Sequence, residues 1–341
     1  MTLTQLWFVI IAFLWLGYFV LEGFDFGVGI LLPYVGRDET DRRVAINTIG
    51  PVWDGNEVWL IVAGASIFAA FPEWYATLFS GFYLPLLLIL LALIGRGVAF
   101  EYRGKRDDAR WRARWDFAIV AGSALPALLW GVAFGNIVRG VPLDARHEFV
   151  GNLATLLNPY ALLFGVTTLA LFTTHGAMFL ALKTHGPVRD RARRAALRVG
   201  PVAALAAVCF LAWTQVRTGT LLSGLLAAGA AVALLLGLAA TLPAGRLGPL
   251  SGRDGVAFAG TAAATGLAVA SLFAAIYPDV LPAVDPAHSL TITNASATGY
   301  TLRVMSWVAL AFTPFVLAYQ TWSYWVFRRR LGRHDIAEAA E

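Results

Sequence analysis

The chain has 341 residues, of which 58% are hydrophobic and only 14% charged, whereas a soluble domain is about 45–50% apolar and about 25% charged. With a formal net charge of +5 and one cysteine, Cys209, this excludes a disordered chain, a nucleic-acid binder with a broad basic face, and a disulfide-stapled secreted scaffold. It points to a bilayer as solvent, with material for about nine or ten spans of roughly 20 residues and no separate soluble domain.

The predicted fold is all-α: a polytopic membrane protein of nine transmembrane helices forming one integral membrane domain over 1–341. The spans are predicted at about 4–33, 51–71, 77–101, 115–137, 159–182, 199–216, 220–242, 256–276 and 304–327. The first lacks a basic leader and a small-residue cleavage site, so it reads as a span and not a signal peptide. Of the 26 Lys and Arg, 21 follow the odd-numbered spans, four lie on the other side, and Arg96 is inside span three. The positive-inside rule therefore places the N-terminus outside and the C-terminus in the cytoplasm. The longer outside loops fall at about 138–158 and 277–303.

An ionisable side chain near the bilayer centre costs about 2.5–3.5 kcal/mol, so such residues are functional candidates. Span one carries Glu22 and Asp25 within Leu21-Glu22-Gly23-Phe24-Asp25-Phe26-Gly27. Span two carries Asp54 and Glu57 within Trp53-Asp54-Gly55-Asn56-Glu57-Val58-Trp59. Each pair is spaced i, i+3 and shares a helix face. The antiparallel course of the two spans lets all four carboxylates meet in the cytoplasmic half of the membrane. A carboxyl there that exchanges protons is what a proton path needs. The competing readings are a structural salt bridge for Glu22 and Asp25, and helix capping for Asp54 and Glu57.

Arg96, in span three, is the natural charge partner, or else it snorkels to the inner surface. Glu101 follows near that interface, and Trp53 and Trp59 flank the span-two acids. His175 is the one histidine inside a span, and it reads as hydrogen-bonded to a neighbouring helix sooner than as a haem ligand. With no second intramembrane histidine, no Cys-x-x-Cys-His and three methionines, no haem is expected on this chain, and no metal site.

These residues carry a family resemblance. Gly23-Phe24-Asp25-Phe26-Gly27-Val28-Gly29, Arg42-Arg43 with Asn47, and Trp53-Asp54-Gly55-Asn56-Glu57-Val58-Trp59-Leu60 resemble subunit II of the cytochrome bd-type quinol oxidases. The likeness continues through Phe79 to Tyr83, Arg96, Glu101-Tyr102-Arg103, Gly131 to Asn136, Ser289-Leu290-Thr291 and Asn294-Ala295. It implies a bacterial plasma-membrane complex that oxidises quinol, reduces O2 to water and contributes to the proton motive force. Haems b and d and the quinol site belong to the partner, subunit I, in a heterodimer that also admits small accessory subunits. Subunit II is then haem-free, not catalytic by itself, helps deliver protons from the cytoplasm, and in some members holds a structural quinone. Asp25 and Asp54 match family acids near that proton route, Arg96 matches a family arginine, and Glu57 stands where some relatives have Gln. Lipids and quinol are the expected small partners, and no nucleic acid. The two rival classes are a proton-coupled secondary transporter, for which no paired broken-helix pattern is visible, and a purely structural membrane subunit.

Overall fold

The computed structural model describes residues 1–246 and 250–338; the remainder of the predicted 1–341 domain lies outside the described residues. The helices are α1 (Leu3–Val35), α2 (Glu39–Ile49), α3 (Trp53–Ala70), α4 (Pro72–Gly81), α5 (Tyr83–Tyr102), α6 (Ala109–Arg139), α7 (Leu153–Leu156), α8 (Pro159–Lys183), α9 (Gly186–Thr218), α10 (Leu221–Thr241), α11 (Asp254–Ile276), α12 (Gly299–Val326) and α13 (Arg333–Glu338). Among the described residues, eight are long and apolar enough to cross a membrane: α1, α5, α6, α8, α9, α10, α11 and α12. The second predicted span, α3, is not among them; it has 18 residues and opens with Asp54, Asn56 and Glu57.

Local chemistry sets the helix ends. α1 starts on a capping box, in which Thr2 accepts from the Gln5 amide and Gln5 accepts from the Thr2 amide. Asp108 caps α6, and Asn158 caps α8 just before Pro159.

Three predicted boundaries are corrected. Span three, predicted at 77–101, is two helices, α4 and α5, broken at Phe82. The polar stretch after span one is not a loop but the helix α2, started by the Asp38 side chain on the Asp41 amide. α9 begins at Gly186, well before the predicted 199, because its basic first turns are held by buried acids of neighbouring segments.

α1 runs through the middle of the bundle, packed on α3, α6, α8 and α11. Its closest approach is to α8: a Cβ on Gly27 would lie 2.0 Å from the Phe172 carbonyl oxygen, and one on Gly176 would lie 2.4 Å from the Gly27 carbonyl carbon. Glycine at both positions lets the backbones touch. A second helix layer, α9 to α11, packs outside α8. The 277–303 loop departs from the all-α plan: β1 (Asp279–Leu281) pairs antiparallel with β2 (Leu290–Thr291), and this hairpin is tied to the 138–158 loop through Val141 and Pro282.

The basic connections converge at one end of the bundle. Arg103 makes a two-pronged bond to Glu39 at 2.8 Å and a third to Asp116 at 2.6 Å. Arg42 also reaches Asp116, at 2.9 Å. Asp41 receives Arg191 and Arg333, and Asp254 receives Arg189, Arg193 and Arg330. So the five Arg-rich segments singled out by charge do lie together.

Candidate functional site

Glu22 and Asp25 lie one turn apart on the buried part of α1, and both are fully buried. Arg96 enters from α5 and is equally buried. Its Nη1 donates to Glu22 Oε1, and to Glu57 Oε1 of α3 at 3.4 Å. The guanidinium also lies 4.9 Å from the Phe26 ring centre and 5.4 Å from that of Phe100, a cation–π arrangement in a dehydrated setting. Arg96 therefore does not snorkel: it is the cation of an intramembrane ion-pair group with two acids, a structure that keeps its charge compensated inside the bundle.

Asp25 takes a different partner from the one expected. Its Oδ2 accepts a hydrogen bond from Asn56 Nδ2 at 2.7 Å, and no bond joins it to Arg96. Asn56 is itself fully buried, and its Oδ1 accepts from Tyr324 Oη at 2.8 Å and from Gln320 Nε2 at 3.3 Å. Gln320 Oε1 accepts from Trp59 Nε1 at 2.8 Å. A Cβ on Gly17 would fall 2.1 Å from the Trp59 ring, so that glycine makes the room for this indole. α12 thus reaches the α1 acids through polar side chains. Four atoms in the group are buried without a partner: Glu22 Oε2, Asp25 Oδ1, Arg96 Nε and Arg96 Nη2. Buried polar atoms in folded chains are bonded, to protein or to water, so two donors and two acceptors of this group have hydrogen-bonding capacity that no side chain takes up.

The four predicted acids therefore do not all meet. Asp54 lies exposed in the first turn of α3, and among the described residues no side chain pairs with it. The N-terminal turn of α3 has no side-chain cap, so neither Asp54 nor Glu57 caps it by a hydrogen bond. Trp53 packs on the Phe100 ring at 5.1 Å and beside Gly97, closing the site on its basic-end side. Glu101 is a correction: it is exposed at the end of α5 and among the described residues forms no ion pair, and the charge partner there is Arg103, two residues on.

His175 has both ring nitrogens engaged, Nδ1 with Thr261 Oγ1 at 2.7 Å and Nε2 with the Val20 carbonyl at 3.0 Å. It is fully buried and stacks on Phe258, which is the helix-to-helix role read from the sequence.

Missed at the sequence level were Asn56, Gln320, Tyr324 and the Trp59 N–H. A usable signal existed: Gln320 and Tyr324 are spaced i, i+4 in a helix long and apolar enough to span, so they share one face.

The comparisons with known proteins are full-length. The family model of cytochrome bd terminal oxidase subunit II matches residues 3–327. A cytochrome bd ubiquinol oxidase subunit 2 from Bacillus subtilis is 42% identical over 338 residues, 98% of each chain. The cytochrome bd-I ubiquinol oxidase subunit 2 of Escherichia coli K12 is 38% identical, over 97% of this chain and 96% of that one. Among solved structures, a chain of the bd oxidase from Geobacillus thermodenitrificans superposes with a TM-score of 0.75 at 16% identity, over 96% of this chain and 99% of that one, which speaks to the fold.

Proposed function

The chain belongs to the cytochrome bd terminal oxidase subunit II family, and we propose from that premise that it serves as the haem-free half of a quinol-oxidising, O2-reducing heterodimer and feeds protons to its partner. It is a multi-pass protein of the bacterial plasma membrane, and its relatives are subunits of ubiquinol oxidases.

The observation that carries the proton role is the acid count around Arg96. Glu22 and Glu57 both bind it and Asp25, bonded to Asn56 instead, stands one turn from Glu22, so three carboxyls lie close together around a single buried cation. An uncompensated charge is costly there, and such a group can take up or release a proton with no backbone rearrangement. The route runs from exposed Asp54, on the basic and therefore cytoplasmic end, past half-buried Glu57 to Glu22 and Asp25. Reduction of O2 to water consumes protons, so a slow supply limits turnover.

Subunit I, the haem-bearing partner, seats on the face made by α3, α5 and α12. That face presents Ile61, Phe68, Leu91, Trp307, Phe312 and Phe315, and only 6% of the apolar stretch of α12 is buried within the chain. With both His175 nitrogens bonded internally, the haems are assigned to the partner. The apolar void lined by Trp15, Trp74, Trp130 and Phe134 has a volume of only about 20 Å3, room for about one water and not for a quinone ring.

The test is the purified complex carrying Asp54→Asn or Asp25→Asn. Turnover is expected to fall by about a hundredfold, the low end for a lost proton-transfer group, with haem content intact. Full turnover with normal haems in both variants would leave a purely structural subunit, and loss of haem would make the acids part of assembly.

A further inference from the structure

The polar chain from α12 to Asp25 has a direction, and one residue fixes it. An indole N–H can only donate a hydrogen bond. Trp59 Nε1 donates to Gln320 at 2.8 Å, so the atom facing it must be the Gln320 oxygen. The Gln320 amide nitrogen is then turned to Asn56, at 3.3 Å, and the atom receiving it must be the Asn56 oxygen. That leaves the Asn56 amide nitrogen facing Asp25, at 2.7 Å. Amide oxygen and nitrogen are told apart only by such a network, and here each assignment forces the next. The Tyr324 hydroxyl agrees with it, donating to the same Asn56 oxygen at 2.8 Å.

We infer that Trp59 is a positioning residue for proton exchange at Asp25: by donating to Gln320 it orients the Gln320 and Asn56 amides so that the exchangeable proton of Asp25 resides on Oδ1 alone. A proton on Oδ2 would point at the Asn56 amide hydrogens, donor against donor. Oδ1 is the buried carboxyl oxygen that has no partner, so the chain reserves it for the incoming and outgoing proton. The groups facing Asp25 from the packed elements are Glu22 on α1, Asn56 and Glu57 on α3, Arg96 on α5, and Gln320 and Tyr324 on α12. None of them reaches Oδ1 by a direct hydrogen bond. The inference rests on the proposed proton route and adds to it a rule about which oxygen carries the proton.

The test uses the assembled complex and three variants. Trp59→Phe keeps a ring in the space left by Gly17 and removes the donor. Trp7→Phe is the control: Trp7 Nε1 also ties α12 to α1, bonding the Leu302 carbonyl and Ser306 hydroxyl, but lies outside the chain to Asp25. Asp25→Asn identifies the Asp25 carboxyl band in redox-difference infrared spectra by its disappearance. Trp59→Phe is expected to lower turnover about fivefold, which converts to about 1 kcal/mol, to shift the Asp25 band, and to raise the solvent deuterium isotope effect, with haem content unchanged. Trp7→Phe is expected to keep turnover and band. An unshifted Asp25 band in Trp59→Phe overturns the inference, as does an equal loss in Trp7→Phe, which would mean that indoles merely anchor α12. Failure of the underlying route looks different: Asp25→Asn then assembles with haem and turns over at full rate, or no Asp25 band appears in any spectrum. Should Trp59→Phe fail to assemble, Gln320→Leu, which removes the next link on the exposed helix, takes its place with the same expectations.

Discussion

α8 and α12 are equally apolar along their best spanning stretches, yet 78% of that stretch is buried in α8 and 6% in α12. Hydropathy therefore fixes that a helix leaves water and says nothing about what it leaves water for. The difference lies in side-chain shape and polarity. α8 presents Gly165, Gly176, Thr168, Thr174 and His175 to its neighbours, small or hydrogen-bonding groups that let backbones approach. α12 carries Trp307, Phe312, Phe315, Tyr319 and Trp322 outward and touches the bundle mainly through Trp7, Trp59 and Asn56. One helix is core in its own chain, and the other is a surface awaiting another solvent.

The contrast can be broken most severely at the site between the two regions. Arg96→Leu leaves Glu22 buried with no cation, and removing one member of such a pair costs about 3–5 kcal/mol. Thermal melts of the purified complex should show a large drop or no complex at all, partly recovered by adding Glu22→Gln. An unchanged melting temperature would mean that the ion pair does not hold α1 to α5.

Next comes the α1–α8 contact. Gly27→Ala drives a methyl into the Phe172 carbonyl, a backbone atom that cannot step aside, and overpacking of this kind costs about 1–3 kcal/mol. Phe315→Ala, on the exposed side of α12, should leave the isolated chain within about 0.5 kcal/mol while weakening its hold on the partner. Size-exclusion chromatography of the two variants distinguishes them: the first lowers the yield of folded chain, the second the share recovered as complex. Equal effects would abolish the distinction between the helices.

The basic end gives a smaller effect with a defined pH sign. Burial pushes Glu39 upward, but the bonds and charge of Arg103, with the charges of Arg112 and Arg42, outweigh it and hold the carboxyl below its usual 4.5. Asp38 is lowered chiefly by the Asp41 amide. A depressed folded value means the stabilisation is complete above the ordinary carboxylate range and is lost as pH falls through the folded value. Hydrogen exchange in α2 should therefore quicken below about pH 4. In Glu39→Gln the Glu39 contribution is already absent at pH 7, so its acid-induced change should be smaller. Identical acid profiles would mean that the Glu39–Arg103 pair does not hold α2.

Much of this was open to sequence reading, and the omissions share a physical cause. Apolar runs and Arg counts located the membrane helices and their common basic end. Glu22, Asp25, Glu57 and the lone Arg96 were marked by charge and come together, whereas Asp54 stays outside the group. The break at Phe82 escaped because Thr77 to Phe82 read as a continuation of the strongly apolar run of α5, although α4 with Glu73 and Ser80 is the more polar helix. α2 escaped because its burial comes from ion pairs with segments far along the chain, Asp41 with Arg191 and Arg333 among them. Asn56 to Tyr324 escaped for a related reason: uncharged polar groups carry no insertion signal strong enough to flag, and their partners sit over 260 residues away.

The tail beyond α12 crosses the basic end. The carbonyls of Phe327 and Arg329 take the Lys183 ammonium, Leu331 pairs with Thr184, and Arg330 and Arg333 complete the shells of Asp254 and Asp41. Seen from the ribosome, these residues are made after the eight membrane-length helices of the described residues, and chains fold from the N-terminus during synthesis. Until they emerge, two buried acids lack part of their counter-charge and five segments are without their common fastening. Emergence of residues 327–333 is thus also the event that closes the bundle, and a chain cut short before residue 330 would reach the membrane with its spans in place and its end undone.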